Sequence, residues 1–344
     1  MNNKAQIRIM LTLFLFISML TSASNVQIVK AEPTIILVPD DYPRIQDAID
    51  AARAGDTILV LTGYYAEGQV NITKPLTLLG KGKVIVDGLQ KGWCTLWVTS
   101  SEVTIKGLAV INGGHGVGIE LDSVRNCVIE ENVFTKNACI HINSGRSNRL
   151  SKNIVTDNDM GITLAMASHN VIEQNIISDN RYSGIKLWLS DCNSIRENVV
   201  KNNGWTSIYI DCSYWNNISE NIIEDNFGGI AVASDSMYNT IVENKIRNNE
   251  YSGIVLGPGH YNVVKENKIT GNQYGIQIWQ SQQNIVKENR ILRNTCWGIS
   301  VTHWSDGNTV SENVVLHSGE YDLHWDQSGH CNLWAENKYK TKDW

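Results

Sequence analysis

Beyond one short stretch near the start, the sequence lacks the i, i+3, i+4 spacing of apolar residues that marks amphipathic helices, so a helical bundle or helical solenoid is excluded. After residue 20 it also lacks any hydrophobic run near the roughly 20 residues that a membrane span requires. There is no cluster of basic residues, and the formal net charge is -6, which argues against nucleic acid and anionic membranes as partners. Seven cysteines are odd in number and show no spacing framework, so no disulfide-stapled scaffold is read from them.

What the chain has instead is one phrase repeated about every 22 or 23 residues from 118 to about 340: Gly-Ile-x-Leu, a short polar gap, then Asn-x-Ile-x-Glu-Asn-x-Ile-x-x-Asn. The middle Asn falls at Asn132, Asn153, Asn175, Asn198, Asn221, Asn244, Asn267, Asn289, Asn313 and Asn337. A third Asn follows five residues later from Asn137 to Asn294, until Ser318 breaks the series. Each repeat buries its apolar face only against its neighbours, the signature of a solenoid.

Within a repeat, Ile162/Leu164, Ile185/Leu187 and Ile276/Ile278 alternate with polar residues, which predicts strands. Leucine-rich and hexapeptide phrases are absent, and a propeller blade needs about 40 residues. The reading is an all-β, single-stranded right-handed parallel β-helix of about 22–23 residues per coil, with three strands and three corners per coil and coils about 4.8 Å apart. The Asn columns are assigned to the corners, where Asn tolerates left-handed backbone and stacked amides can hydrogen-bond along the column. A second column, Met160, Tyr182, Trp205, Phe227, Tyr251, Tyr274 and Trp297, aromatic after its first member, lies at the corner before Gly-Ile and is read as corner stacking.

Residues 1–31 read as a secretory signal peptide: Lys4 and Arg8, an apolar run from Ile9 to Leu20, then Val29-Lys30-Ala31. Its removal takes away Lys4, Arg8 and Lys30 and leaves 26 basic against 35 acidic residues, a net charge of -9. The mature protein is therefore expected to be secreted or at the cell surface, without a membrane span. Asn71 and Asn217 begin glycosylation sequons. Cys139 stands where other repeats have Gly, Cys192 and Cys331 each precede the first Asn of a repeat, and most cysteines are read as small buried corner residues.

Residues 32–62 read as a cap of strand (34–38), short helix and strand (57–61). Ile45, Ala48, Ile49 and Ala52 line one helical face, and Gly55 ends the run. Such a cap covers apolar strand edges that would otherwise invite association. Residues 63–117 continue as less regular coils, and Trp334–Trp344 forms the atypical last turn.

The phrase Tyr42-Pro-Arg-Ile-Gln-Asp-Ala-Ile-Asp-Ala-Ala-Arg-Ala-Gly-Asp-Thr-Ile58, the Gly63-Tyr64-Tyr65-Ala66-Glu67 step and the Asn-rich repeats together resemble the NosD-like branch of the pectin-lyase-like β-helices. The resemblance covers nearly all of the mature chain. It implies the fold, a superfamily of lyases, hydrolases, epimerases and non-enzymes whose enzymes usually carry their sites on the strand after Gly-Ile, and a link to copper through the family's namesake.

On that strand the third and fifth positions face outward. They are Glu120/Asp122, His141/Asn143, Thr163/Ala165, Lys186/Trp188 and Tyr209/Asp211, then Ala231/Ala233 and Val255/Gly257, then Gln277/Trp279, Ser300/Thr302 and His324/Asp326. Glu120, Asp122 and His141 form one expected cluster, and Lys186, Trp188, Tyr209 and Asp211 another. With Trp279 they are the candidate carbohydrate-binding residues, for aromatic rings accept sugar faces and charged neighbours orient them.

For catalysis the candidates are Lys186, Tyr209 and Asp211 in a lyase or epimerase. Glu120 with Asp122 is the only pair near enough for a glycosidase, since Asp122 and Asp211 are four coils apart, about 19 Å. Gly114-His115-Gly116 matches part of a polygalacturonase-like set whose other motifs are missing. A lyase would add calcium held by carboxylates. A metal reading, with copper in mind, takes His303, His324 and Asp326 as convergent ligands. The preferred reading is glycan binding, with polysaccharide chemistry on the same face and a copper accessory role as alternatives.

Overall fold

The computed structural model describes residues 32–113, 116–137 and 139–344. The signal-peptide segment and His115 lie outside the described residues. From Thr34 to Trp344 the chain is an all-β right-handed parallel solenoid of about 13 turns with one helix.

One coil shows how the sequence builds it. Ile185–Trp188 is followed by a corner, Ser194–Arg196, a second corner, Val199–Lys201 and a third corner that leads into Thr206–Asp211 of the next coil. Each strand pairs in parallel with its successor, Lys186 opposite Tyr209, Ile195 opposite Ile218 and Val200 opposite Ile223. The strands that follow Gly-Ile stack into a 12-stranded sheet, and the other two strands of each coil form a 24-stranded sheet. Inward positions carry Ile, Leu and Val in unbroken columns, with Ile185, Ile208, Leu187 and Ile210 all at 0% exposure. Burying each such side chain is worth about 1.5–3 kcal/mol.

The Asn columns run through the interior of the corners. The Asn198 side-chain amide donates to the Ile172 carbonyl of the preceding coil (2.8 Å) and to Asn221 Oδ1 of the next (3.0 Å), and the same Oδ1 accepts the Asn198 backbone N–H (3.0 Å). The ladder thus satisfies backbone groups that sharp corners take out of the strand pairing.

The reason given for Asn in the sequence reading is corrected by the dihedrals. The left-handed residue is the one before each Asn: Glu197 (φ 56), Glu220 (φ 57), Glu243 (φ 58) and their equivalents. That residue points outward, while Asn must point inward to reach its partners. Where Ser318 interrupts the third column, the Asn294 amide nitrogen and the Ser318 hydroxyl are left buried without partners.

The cap consists of Ile35–Val38, the helix Ile45–Ala51 and Thr57–Ala66, with Ile45, Ala48 and Ile49 buried. Glu67, from the following turn, accepts the Ile45 N–H at 2.8 Å and meets the Arg44 guanidinium at 3.2 Å, so it caps the helix from outside.

The described cysteines are all free thiols, and the expectation that most are buried is corrected. Cys94 and Cys127 are buried, but Cys192 and Cys331 are exposed because they occupy left-handed corner positions (φ 57 and 55) whose side chains point outward.

Candidate functional site

The strands that follow Gly-Ile place their outward side chains in two columns, each in register from coil to coil. Glycine at the start of these strands is required by close approach: a Cβ on Gly275 would stand 2.2 Å from the Gly298 carbonyl oxygen. The corner before the strand is therefore tight, and its aromatic residues are held beside the strand face.

At the N-terminal end, Trp97, Glu120 and His141 are successive members of one column. Glu120 points away from the solenoid axis, yet it is only 3% exposed, and its Oε2 lies 2.8 Å from His141 Nδ1. The two residues meet as the coil spacing implies, but Glu120 is covered and not presented to solvent. Its charge, second to burial itself, contributes to pushing the Cys94 and Cys139 thiols up to about 12. Asp122 is half-exposed, accepts the Ser123 hydroxyl (3.1 Å) and is opposite Asn143.

Thr163 and Ala165 separate this cluster from the next. There the Lys186 ammonium lies 6.0 Å from the centre of the Tyr209 ring, and Trp188 is opposite Asp211 and exposed. Burial, with the Asp211 charge second, raises the Tyr209 phenol above its ordinary value and keeps it protonated.

After Ala231 and Ala233 the face changes. Tyr251, Tyr274 and Trp297 from the corner column, and Gln277, Trp279 and His303 from the strand and its end, line a groove of about 530 Å³. Val255, Thr302, His324 and Asp326 complete it. The corner rings contact one another, Tyr251–Tyr274 and Tyr274–Trp297 both at 5.3 Å, and Trp297 stacks on His324 at 4.0 Å. On the opposite wall Trp279 meets His303 edge-on at 5.7 Å.

Asp326 is held firmly: Oδ2 accepts the His303 backbone N–H (2.8 Å), and Oδ1 accepts the Ser328 N–H (2.9 Å) and hydroxyl (2.6 Å). Burial pulls its pKa upward, but these donors, the Ser328 hydroxyl foremost, prevail and hold it below the ordinary carboxylate range.

The structure therefore brings His303, His324 and Asp326 into one groove, together with Trp279. It does not arrange them as a ligand set. His324 Nδ1 is hydrogen-bonded to the Asp343 carboxylate, and His303 meets Asp326 through its backbone amide. Among the described residues no three His, Cys, Asp or Glu side chains gather in a way that could hold a metal ion.

Two features escaped the sequence reading. The corner aromatics stack from Trp205 through Phe227 to Tyr251 (5.8 and 6.0 Å) and meet edge-on or tilted beyond it, and Tyr251, Tyr274 and Trp297 also form a wall of the groove. Trp215, Tyr238 and Tyr261 make a second stacked ladder at 5.6 and 5.2 Å. Its signal was an aromatic immediately before the first Asn of three consecutive repeats.

The family described as periplasmic copper-binding protein (NosD) matches residues 79–250 and 203–342. No curated protein sequence matches the chain. Among solved structures it is similar to the periplasmic alginate epimerase AlgG (16% identity, TM-score 0.66, 89% of this chain and 85% of that one). It is similar to the A-module of the Azotobacter vinelandii mannuronan C-5 epimerase AlgE6 (15%, TM-score 0.62, 87% and 93%). A third is the DFA-IIIase from Arthrobacter chlorophenolicus A6 in complex with GF2 (15%, TM-score 0.62, 77% and 86%). At these identities the structural likeness is one of fold.

Proposed function

The chain belongs to the NosD family, and from that premise we propose that it is a secreted or cell-surface protein that binds a carbohydrate chain along the strand face after Gly-Ile. The observation that carries this reading is the groove of about 530 Å³ between Trp279 and the Tyr251–Tyr274–Trp297 wall. Aromatic rings offer apolar surface to the C–H faces of a sugar, and the Gln277 amide, the imidazoles and the Asp326 carboxylate offer partners for its hydroxyls. Coils about 4.8 Å apart advance by a distance comparable to one sugar unit, so an extended chain can be followed along the axis. The fold neighbours named for alginate and mannuronan epimerisation support a polysaccharide as the ligand class. An extracytoplasmic location accords with the periplasmic description of the family, and no described helix is long and apolar enough to cross a membrane.

The copper in the family's description does not fit these residues. Copper favours imidazole and thiolate donors brought to one point, whereas His324 is engaged by Asp343 and Asp326 is engaged by three donors. A carboxylate cage for calcium is likewise not assembled among the described residues.

A second reading, turnover by a polysaccharide lyase or epimerase, is favoured by Tyr209. The Lys186 ammonium 6.0 Å from its ring, and Asp211 on the same strand, put a phenol, a cation and a carboxylate on one stretch of the face, residue types that can serve proton abstraction and return at a sugar carbon. A glycosidase reading is weaker, because Glu120 is buried against His141 and does not face a ligand.

The test is to incubate the purified protein with a polysaccharide panel and follow retention and product together. Retention without product, lost in Trp279→Ala, supports binding. Product that disappears in Tyr209→Phe or Lys186→Ala while retention persists replaces binding with catalysis.

A further inference from the structure

Resting on the carbohydrate reading above, we infer that the groove takes a neutral glycan and rejects polyuronates. The basis is its charge. Among the described residues lining it none is Lys or Arg, and the fixed charge at its mouth is the Asp326 carboxylate. That carboxylate is anchored by the His303 amide and by both donors of Ser328, so it cannot swing away from an incoming ligand.

Two more carboxylates stand around the groove. Glu320 accepts the Trp297 indole N–H at 2.9 Å, and Asp343 holds His324. A polyuronate carries one carboxylate on each sugar unit. In this groove each would lose water without gaining a Lys or Arg partner and would meet carboxylates already in place.

The nearest cation on the outward columns is Lys186, and it cannot compensate. The register runs Lys186, Tyr209, Ala231, Val255, so three coils, about 14 Å, separate it from the groove. That exceeds the screening length of about 8 Å at physiological salt. A neutral chain has no such conflict: its hydroxyls reach Gln277 and Asp326, and its C–H faces reach the rings. The inference separates this chain from the ligand that its fold neighbours' names suggest, since alginate and mannuronan are polyuronates.

The test is calorimetric titration of the wild-type protein with neutral hexose oligomers and with hexuronate oligomers of equal length. It is repeated with Val255→Lys, a substitution at a half-exposed outward position on the groove floor. The expected result is binding of at least one neutral oligomer about tenfold or more tighter than its uronate counterpart, with Val255→Lys narrowing that gap. Uronate binding equal to or tighter than neutral binding overturns the inference and leaves the carbohydrate reading standing. Binding of neither oligomer overturns both.

Discussion

The N-terminal and C-terminal halves of the same strand face share one register and one set of corners, yet they present opposite surfaces. In the coils of Glu120 and His141 the outward side chains turn to each other and close over. In the coils of Val255 to Asp326 the outward side chains of Val255, Gln277, Trp279, Thr302, His324 and Asp326 line a groove together with Tyr251, Tyr274 and Trp297 of the corner column. A solenoid therefore sets where side chains are placed, and the neighbours one coil away decide whether the place is a surface, a buried pair or a cleft.

The largest effect should come from what the two halves share. Asn153→Ala and Asn289→Ala each remove an amide that accepts one backbone N–H (Asn132 and Asn267, both 3.0 Å) and donates to a carbonyl (Ile129 at 2.8 Å, Val264 at 2.9 Å). With buried partners left unsatisfied, each should cost about 3 kcal/mol or more in urea denaturation. Equal losses would establish one scaffold beneath two surfaces, whereas a near-neutral Asn289→Ala would break that comparison.

The next effect should separate the halves. Trp279→Ala should weaken glycan binding by about 2 kcal/mol, roughly thirtyfold. Trp188→Ala, at an exposed position opposite Asp211 and outside the groove, should change it by less than about 0.5 kcal/mol. Parallel titrations measure both, and a reversed order would move the site to the N-terminal coils.

The smallest effect concerns acid. The lowered Asp326 pKa means that its contribution to folding is fully present above the ordinary value of 3.8 and is lost as the pH falls through the lowered one. Because Asp326 is exposed, the contribution should be well under 1 kcal/mol after solvent screening. Asp326→Asn should remove that acid-side loss, seen as a smaller difference between melting temperatures measured at pH 6 and at about pH 3. An unchanged difference would mean that the Asp326 anchors do not steady this end of the groove.

Much of the molecule was legible in the sequence. Ile185/Leu187 alternation gave the strand and its inward face, the 22–23-residue period gave the coil, and the Ser318 interruption marked the point where the ladder loses its partner. The meeting of Glu120 with His141 followed from coil spacing. Less was legible where two reasonable placements compete. Asn is at home in left-handed backbone, but here Glu197 and its equivalents take that conformation, because an inward amide is worth more to a corner than a relaxed one. The exposure of Cys192 has the same origin.

By itself the sequence determined the fold, since period-two alternation and regularly spaced Asn are local signals repeated often enough that only one register satisfies all of them at once. What the tertiary structure alone decided is which outward residues are covered and where a groove opens. Trp279 and Trp297 share a cleft, and Glu120 disappears beneath His141, through contacts between coils whose outcome depends on side-chain size and direction. A strand's own alternation places a side chain outside the solenoid, but only the packing of its neighbours settles what it meets there.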